Sequence, residues 1–199
     1  MNNQNGNSRK LKFALLALAG LTPFLVQAHH LPGESNGFAS GLGHPIHGLD
    51  HVLAMVAVGL WAAQLGGRAV WLVPAAFVIL MTVGGALGMA GIHLPMVETG
   101  ILTSVLVLGV LIAAAKRLPL VASMAVVGIF ALFHGFAHGA EMPVSSSAFS
   151  YGLGFVLATA LLHAAGVGLG LAMRKRATLP MIRFAGAAIT VAGLCLWLA

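Results

Sequence analysis

Residues 118–141 read LPLVASMAVVGIFALFHGFAHGAE, with no Asp, Glu, Lys or Arg before Glu141. A helix crossing a ~30 Å hydrocarbon core needs about 20 apolar residues, and this stretch supplies them. Its last third nevertheless holds His134, His138 and Glu141. Their i, i+4, i+7 spacing puts all three on one helical face. An ionisable group in an apolar span is costly and by default functional. One string thus predicts both a membrane helix and a site on it.

The rest of the chain is of the same kind. It has 199 residues, 59% hydrophobic and 7% charged, with a mean hydropathy of +0.99. Soluble domains carry about 25% charged residues, so a single water-exposed globule is excluded. Six apolar stretches are read as spans: 45–65, 69–91, 96–115, 118–139, 149–173 and 180–198. Turn or charge signals separate them: Gly66-Gly67-Arg68, Gly91 to Pro95, Lys116-Arg117 before Pro119, Met142 to Ser147, and Arg174 to Pro180. Ahead of them, Arg9, Lys10 and Lys12 precede the apolar run Phe13 to Leu21, and Val26-Gln27-Ala28 supplies small residues at cleavage positions. That is the layout of an export signal. The expected organisation is a signal peptide over 1–28 and an all-α, six-span membrane domain over 29–199, opening at His29. The net charge of +6 comes from only 10 Lys and Arg, too dispersed for a nucleic-acid groove. Cys195 is the single cysteine, which excludes a multi-thiolate site.

Charge placement orients the bundle. Beyond the signal region the basic residues are Arg68, Lys116, Arg117, Arg174, Lys175, Arg176 and Arg183, all in or beside alternate loops. The positive-inside rule makes those loops cytoplasmic and puts the mature N-terminus in the periplasm. His134, His138 and Glu141 then end the fourth span on its outer side.

A second cluster opens the first span on that same side: His44-Pro45-Ile46-His47-Gly48-Leu49-Asp50-His51. His44, His47 and His51, at i, i+3 and i+7, share one helical face. Asp50 lies beside that face, as a ligand or as a holder of an imidazole tautomer. Two facing stripes of imidazole and carboxylate suit a borderline divalent ion such as Ni²⁺, Co²⁺ or Zn²⁺. His93 and Glu98 flank the next outer loop, His29 would be the mature terminus, and His163 lies deep in the fifth span. A lone histidine is more often a packing residue than a ligand, and His163 is open to either role. Two clusters at one depth weigh against that bland explanation. Gly84, Gly85 and Gly88 permit close helix approach. Gly48, Gly135 and Gly139 lie among the candidate ligands, where they would admit a backbone toward an ion or serve ordinary packing.

The strings His44-Pro45-x-x-Gly48-x-Asp50-His51 and Phe133-His134-Gly135-x-Ala137-His138-Gly139-x-Glu141 resemble those of the HupE/UreJ family of bacterial nickel/cobalt permeases. The resemblance spans essentially the whole mature chain. It implies import of Ni²⁺, with Co²⁺ as a second cargo, across the inner membrane in support of hydrogenase or urease. The residues it marks are His44, Asp50, His51, His134, His138 and Glu141; His47 is added by helical spacing alone. It implies a multi-pass carrier that is not an enzyme and has no permanent cofactor. Its partners are the ion and the bilayer, with a homo-oligomer left open. No Walker motif is present, so facilitated diffusion is the expected mode. Two other classes use intramembrane histidines: a haem-binding electron carrier and a di-iron oxidase.

Overall fold

The computed structural model describes residues 37–142, 146–175 and 179–199. The expected signal peptide, its cleavage after Ala28, and His29 lie outside the described residues. Those described form helices and no strand: α1 Gly37–His47, α2 Leu49–Leu65, α3 Ala69–Met89, α4 Val97–Ala113, α5 Leu120–Ala140, α6 Ala148–Lys175 and α7 Leu179–Leu198. Four of them, α3, α5, α6 and α7, are long and apolar enough to cross a membrane, or five spans if α1 and α2 count as one bent span.

Boundaries follow local chemistry. Gly66 and Gly67 take positive φ (77° and 54°) and turn the chain between α2 and α3, a conformation that glycine adopts without steric cost. Pro119 precedes α5 in an extended conformation, where its missing N–H is no loss. α4 is shorter than its expected stretch of 96–115. Met96 and Ala115 take left-handed φ of 59° and 52°, which leaves a helix of 17 residues.

The first expected span needs correction. It is not one helix over 45–65. Pro45 sits inside α1, Gly48 is extended (φ −92°, ψ 114°), and α1 meets α2 at 83°. Pro45 has no N–H to give the carbonyl one turn back, which weakens the helix just before the break. His44 and His47 therefore belong to one helix, and Asp50 and His51 to another. The expected shared face of His44, His47 and His51 does not exist.

α2 forms the core. It is buried along most of its length, including Met55, Val58, Leu60 and Trp61. Its neighbours turn large apolar side chains outward: Trp71 is 76% exposed, Val121 78%, Phe149 80% and Phe184 74%. So much outward apolar surface makes sense only in lipid, and the chain is a multi-pass membrane protein.

The helices associate chiefly in pairs, α3 with α5, α2 with α6 and α4 with α7, and α1 also lies on α6. Glycines set each contact. A Cβ at Gly84 or Gly88 would strike the backbone of Leu132 or Phe136, and one at Gly135 or Gly139 the backbone of Met81 or Gly85. Gly59 and Gly166 do the same for α2 and α6, and Gly109 and Gly186 for α4 and α7. Lipid tails give no hydrophobic drive to helix pairing, so backbones must come close enough for dispersion to act. Gly135 and Gly139 thus seat α3 and set the rotation of α5 that aims His134 and His138 inward.

The end of the bundle carrying the basic residues is tied by polar side chains to helix carbonyls. Arg174 Nη1 donates to Ala63 O (2.7 Å), Gln64 Nε2 to Ile112 O (3.1 Å), Arg183 Nε to Ala113 O (2.9 Å) and Trp61 Nε1 to Lys116 O (3.2 Å). The carbonyls of Ala63, Ile112 and Ala113 lie in the last turns of α2 and α4, where a helix leaves carbonyls over, and that of Lys116 lies just past the end of α4.

Candidate metal centre

At the opposite end, α1 and α5 both terminate where α2 begins. His44 is in the last turn of α1, His138 in that of α5, and Glu141 caps α5. Helix C-termini carry partial negative charge, which favours a cation between them. The opposing N-terminal end of α2 is offset by Asp50, whose Oδ1 accepts the N–H of His51 at 2.8 Å.

From this mouth a chain of donor atoms runs inward. Glu141 Oε2 lies 3.0 Å from His44 Nε2 and 3.4 Å from His138 Nδ1. Ligand atoms of these three lie within 4.8 Å of one another. The other nitrogen of His138, Nε2, lies 3.1 Å from His51 Nδ1. That same His51 atom is 3.1 Å from His134 Nδ1, and His134 Nε2 is 2.9 Å from Ser104 Oγ on α4. Side-chain exposure falls from 56% at Glu141 to 29% at His44 and 13% at His138; His51 and His134 are fully buried. His138 is the link, one ring facing two groups of donors.

Aromatic rings wall the chain. Phe155 of α6 lies 4.9 Å from the His138 ring and 5.4 Å from that of His51, centroid to centroid. Tyr151 packs edge-on to His44 and donates its hydroxyl to His138 O at 3.3 Å. A cavity of about 300 Å³ opens beside His138, lined by Met81, Gly85, Tyr151 and Phe155 among others.

The structure therefore joins His44, His51, His134, His138 and Glu141. His47 turns back on its own helix, with Nδ1 2.7 Å from Gly43 O, and is exposed. Asp50 is held at the start of α2. His93 is exposed in the loop after α3, and Glu98 in the first turn of α4. His163 is buried and neither of its nitrogens has a partner. It lies edge-on to Phe77 at 5.1 Å, and Phe77 is 5.8 Å from His134, so one phenyl ring separates His163 from the chain. Ser104, Tyr151, Phe155 and Phe77 were not singled out by sequence. For Ser104 there was a signal: a hydroxyl inside an apolar span asks for a partner.

A family model described as HupE / UreJ protein matches residues 16–196. Protein HupE of Rhizobium leguminosarum bv. viciae is 49% identical over 187 residues, covering 94% of this chain and 96% of that protein. No solved structure matches.

Proposed function

The chain belongs to the HupE/UreJ family, and we propose on that footing that it carries Ni²⁺, with Co²⁺ as a second cargo, inward across the bacterial inner membrane to supply a nickel enzyme such as hydrogenase or urease. The observation that carries the proposal is the graded chain of donors from exposed Glu141 to buried His134. A resident metal wants a closed cage. A permeant ion needs successive sites, none complete enough to retain it. Here the mouth offers His44, His138 and Glu141, and the interior offers His51 and His134, with His138 common to both.

In this scheme an ion loses part of its water shell at the mouth, where the Glu141 carboxylate offsets its charge. Reorientation of the His138 ring then exchanges the Nδ1 side for the Nε2 side and passes the ion to His51 and His134. His163 is the next donor inward, beyond Phe77. Membrane potential drives the step, at about 4.6 kcal/mol per 100 mV for a divalent ion. The bent α1–α2 pair and the short α4 complete six spans, and His29 opens the mature chain. The basic loops face the cytoplasm and the donor mouth the periplasm.

A haem carrier fits this geometry poorly. The rings of His51, His134 and His138 approach at 4.7 to 5.0 Å, with no room for a macrocycle between them. A membrane di-iron oxidase would need more histidine boxes than these two strings supply, and its metal would stay bound, whereas a permeant ion must leave. The test is Ni²⁺ entry into proteoliposomes enclosing a metal-sensitive dye. Entry should saturate with Ni²⁺ and rise with an inside-negative potential. Absence of entry at any potential would defeat the proposal.

A further inference from the structure

α4 lies outside both sequence motifs, yet His134, the most fully buried histidine among the described residues, rests on it. Ser104 and His134 are both 0% exposed. Ser104 Oγ is 2.6 Å from Ile101 O and 2.9 Å from His134 Nε2. A serine hydroxyl has a single proton. Two oxygens 2.6 Å apart with no proton between them would set lone pair against lone pair. The Ser104 proton therefore belongs to Ile101 O, and Oγ can only accept from His134. That requires a proton on Nε2. A neutral imidazole has one N–H, so Nδ1 is bare, and Nδ1 is the atom that faces His51.

We propose that Ser104 is a positioning residue that holds His134 in the Nε2–H tautomer and keeps a bare Nδ1 turned toward the ion route. Its consequence for transport rests on the metal reading above; its geometry does not. The reason such a residue is needed is local. His134 is sealed from water, so its proton has few places to go. Without an acceptor at Nε2 the proton moves to Nδ1 and points into the route. There it occupies the lone pair an ion would use and meets the His51 ring. With Ser104 in place Nδ1 of His134 keeps its lone pair, which accepts from His51 Nδ1–H at 3.1 Å until an ion displaces that proton. Metal-binding histidines commonly have their far nitrogen fixed in this way, and loss of the fixing group costs 10- to 100-fold in affinity or activity.

The experiment uses the full-length protein, histidine-labelled with ¹⁵N and metal-free in detergent, with His134 identified by the resonance lost in His134→Gln. Wild type should show a protonated Nε2 and a bare Nδ1 at His134. Ser104→Ala should shift the proton toward Nδ1, and Ser104→Thr, which keeps the hydroxyl, should shift it back. In proteoliposomes Ser104→Ala should raise the KM for Ni²⁺ on the order of 10- to 100-fold, more than it lowers the maximal rate. A proton on Nδ1 in the wild type overturns the proposal even if the variants fail to fold. So does a Ser104→Ala protein with unchanged tautomer and KM. The expected wild-type tautomer together with no Ni²⁺ entry would sink the transport reading and leave the role of Ser104 standing.

Discussion

Gly135→Ala tests whether helix packing and the donor chain are one construction. A Cβ at Gly135 would collide with Met81 O and sit 2.9 Å from Gly85 N. Both are main-chain atoms of α3, so no side chain can swing away. Relief requires α3 and α5 to part by roughly 1 Å, the scale at which dispersion contacts lose a quarter to a half of their depth. Overpacking a rigid site costs about 1–3 kcal/mol, and a backbone collision belongs at the upper end. Alanine returns roughly 0.5–1 kcal/mol through helix propensity, leaving a net loss of about 2 kcal/mol. Uptake should suffer more than stability. His134 precedes Gly135 and His138 follows three residues later, and a displacement of about 1 Å in a positioned group can cost 100-fold in rate. Gly168→Ala is the control, because its Cβ meets no atom within 4 Å. It should be neutral or slightly stabilising. Thermal unfolding in detergent, read by fluorescence-detected gel filtration, would be paired with Ni²⁺ uptake. If Gly135→Ala melts at or above wild type with uptake intact, the close α3–α5 contact is wrong, and so is the account of how His134 and His138 are aimed.

His138→Ala should abolish uptake with insertion unchanged, because it removes both faces of the link, whereas His47→Ala should keep most of it; radioactive nickel accumulation in a strain lacking other nickel importers separates the two. At limiting Ni²⁺, uptake should fall as the external side is acidified, since protons and metal compete for the same nitrogens, and excess Ni²⁺ should restore it. A rate that rises on external acidification, at fixed internal pH, would point to proton coupling instead. The mature protein should begin at His29, and an intact mass retaining Met1 would refute cleavage after Ala28.

Apolar run length located the helices well. The stretches read at 149–173 and 180–198 are helices Ala148–Lys175 and Leu179–Leu198, because in lipid a backbone satisfies itself only by staying helical. The donor strings were legible for the same reason: ionisable groups in such runs stand out. The first span misled because helical spacing assumes an unbroken helix. Pro45 and Gly48 were in view, but each alone is tolerated in membrane helices, and the 83° bend arises where they act together. Spacing counted through that break places His47 beside His51, whereas its Nδ1 lies 2.7 Å from Gly43 O on its own helix. Ser104 was hidden for another reason. Which face of α4 meets His134 depends on packing between helices, and spacing within one helix carries no record of it. The glycines beside the histidines had two readings, and the structure gives them to α3.

The glycine-set contacts, α3 on α5, α4 on α7, and α1 and α2 on α6, divide the bundle into three bodies in a way that matters for movement. Within a pair, main chain rests on main chain, so neither helix can slide without breaking contact along its length. Between pairs, the contact at Gly100 is with the side-chain ring of Phe133 and not with main chain. His51 comes from the α2–α6 pair, His134 and His138 from the α3–α5 pair, and Ser104 from the α4–α7 pair. The donor chain therefore follows the joint where three stiff bodies meet. On the proposed function, a cation held by His51 and His134 would be a removable rivet through that joint: loading it would stiffen the assembly, and releasing it would return the freedom to rock.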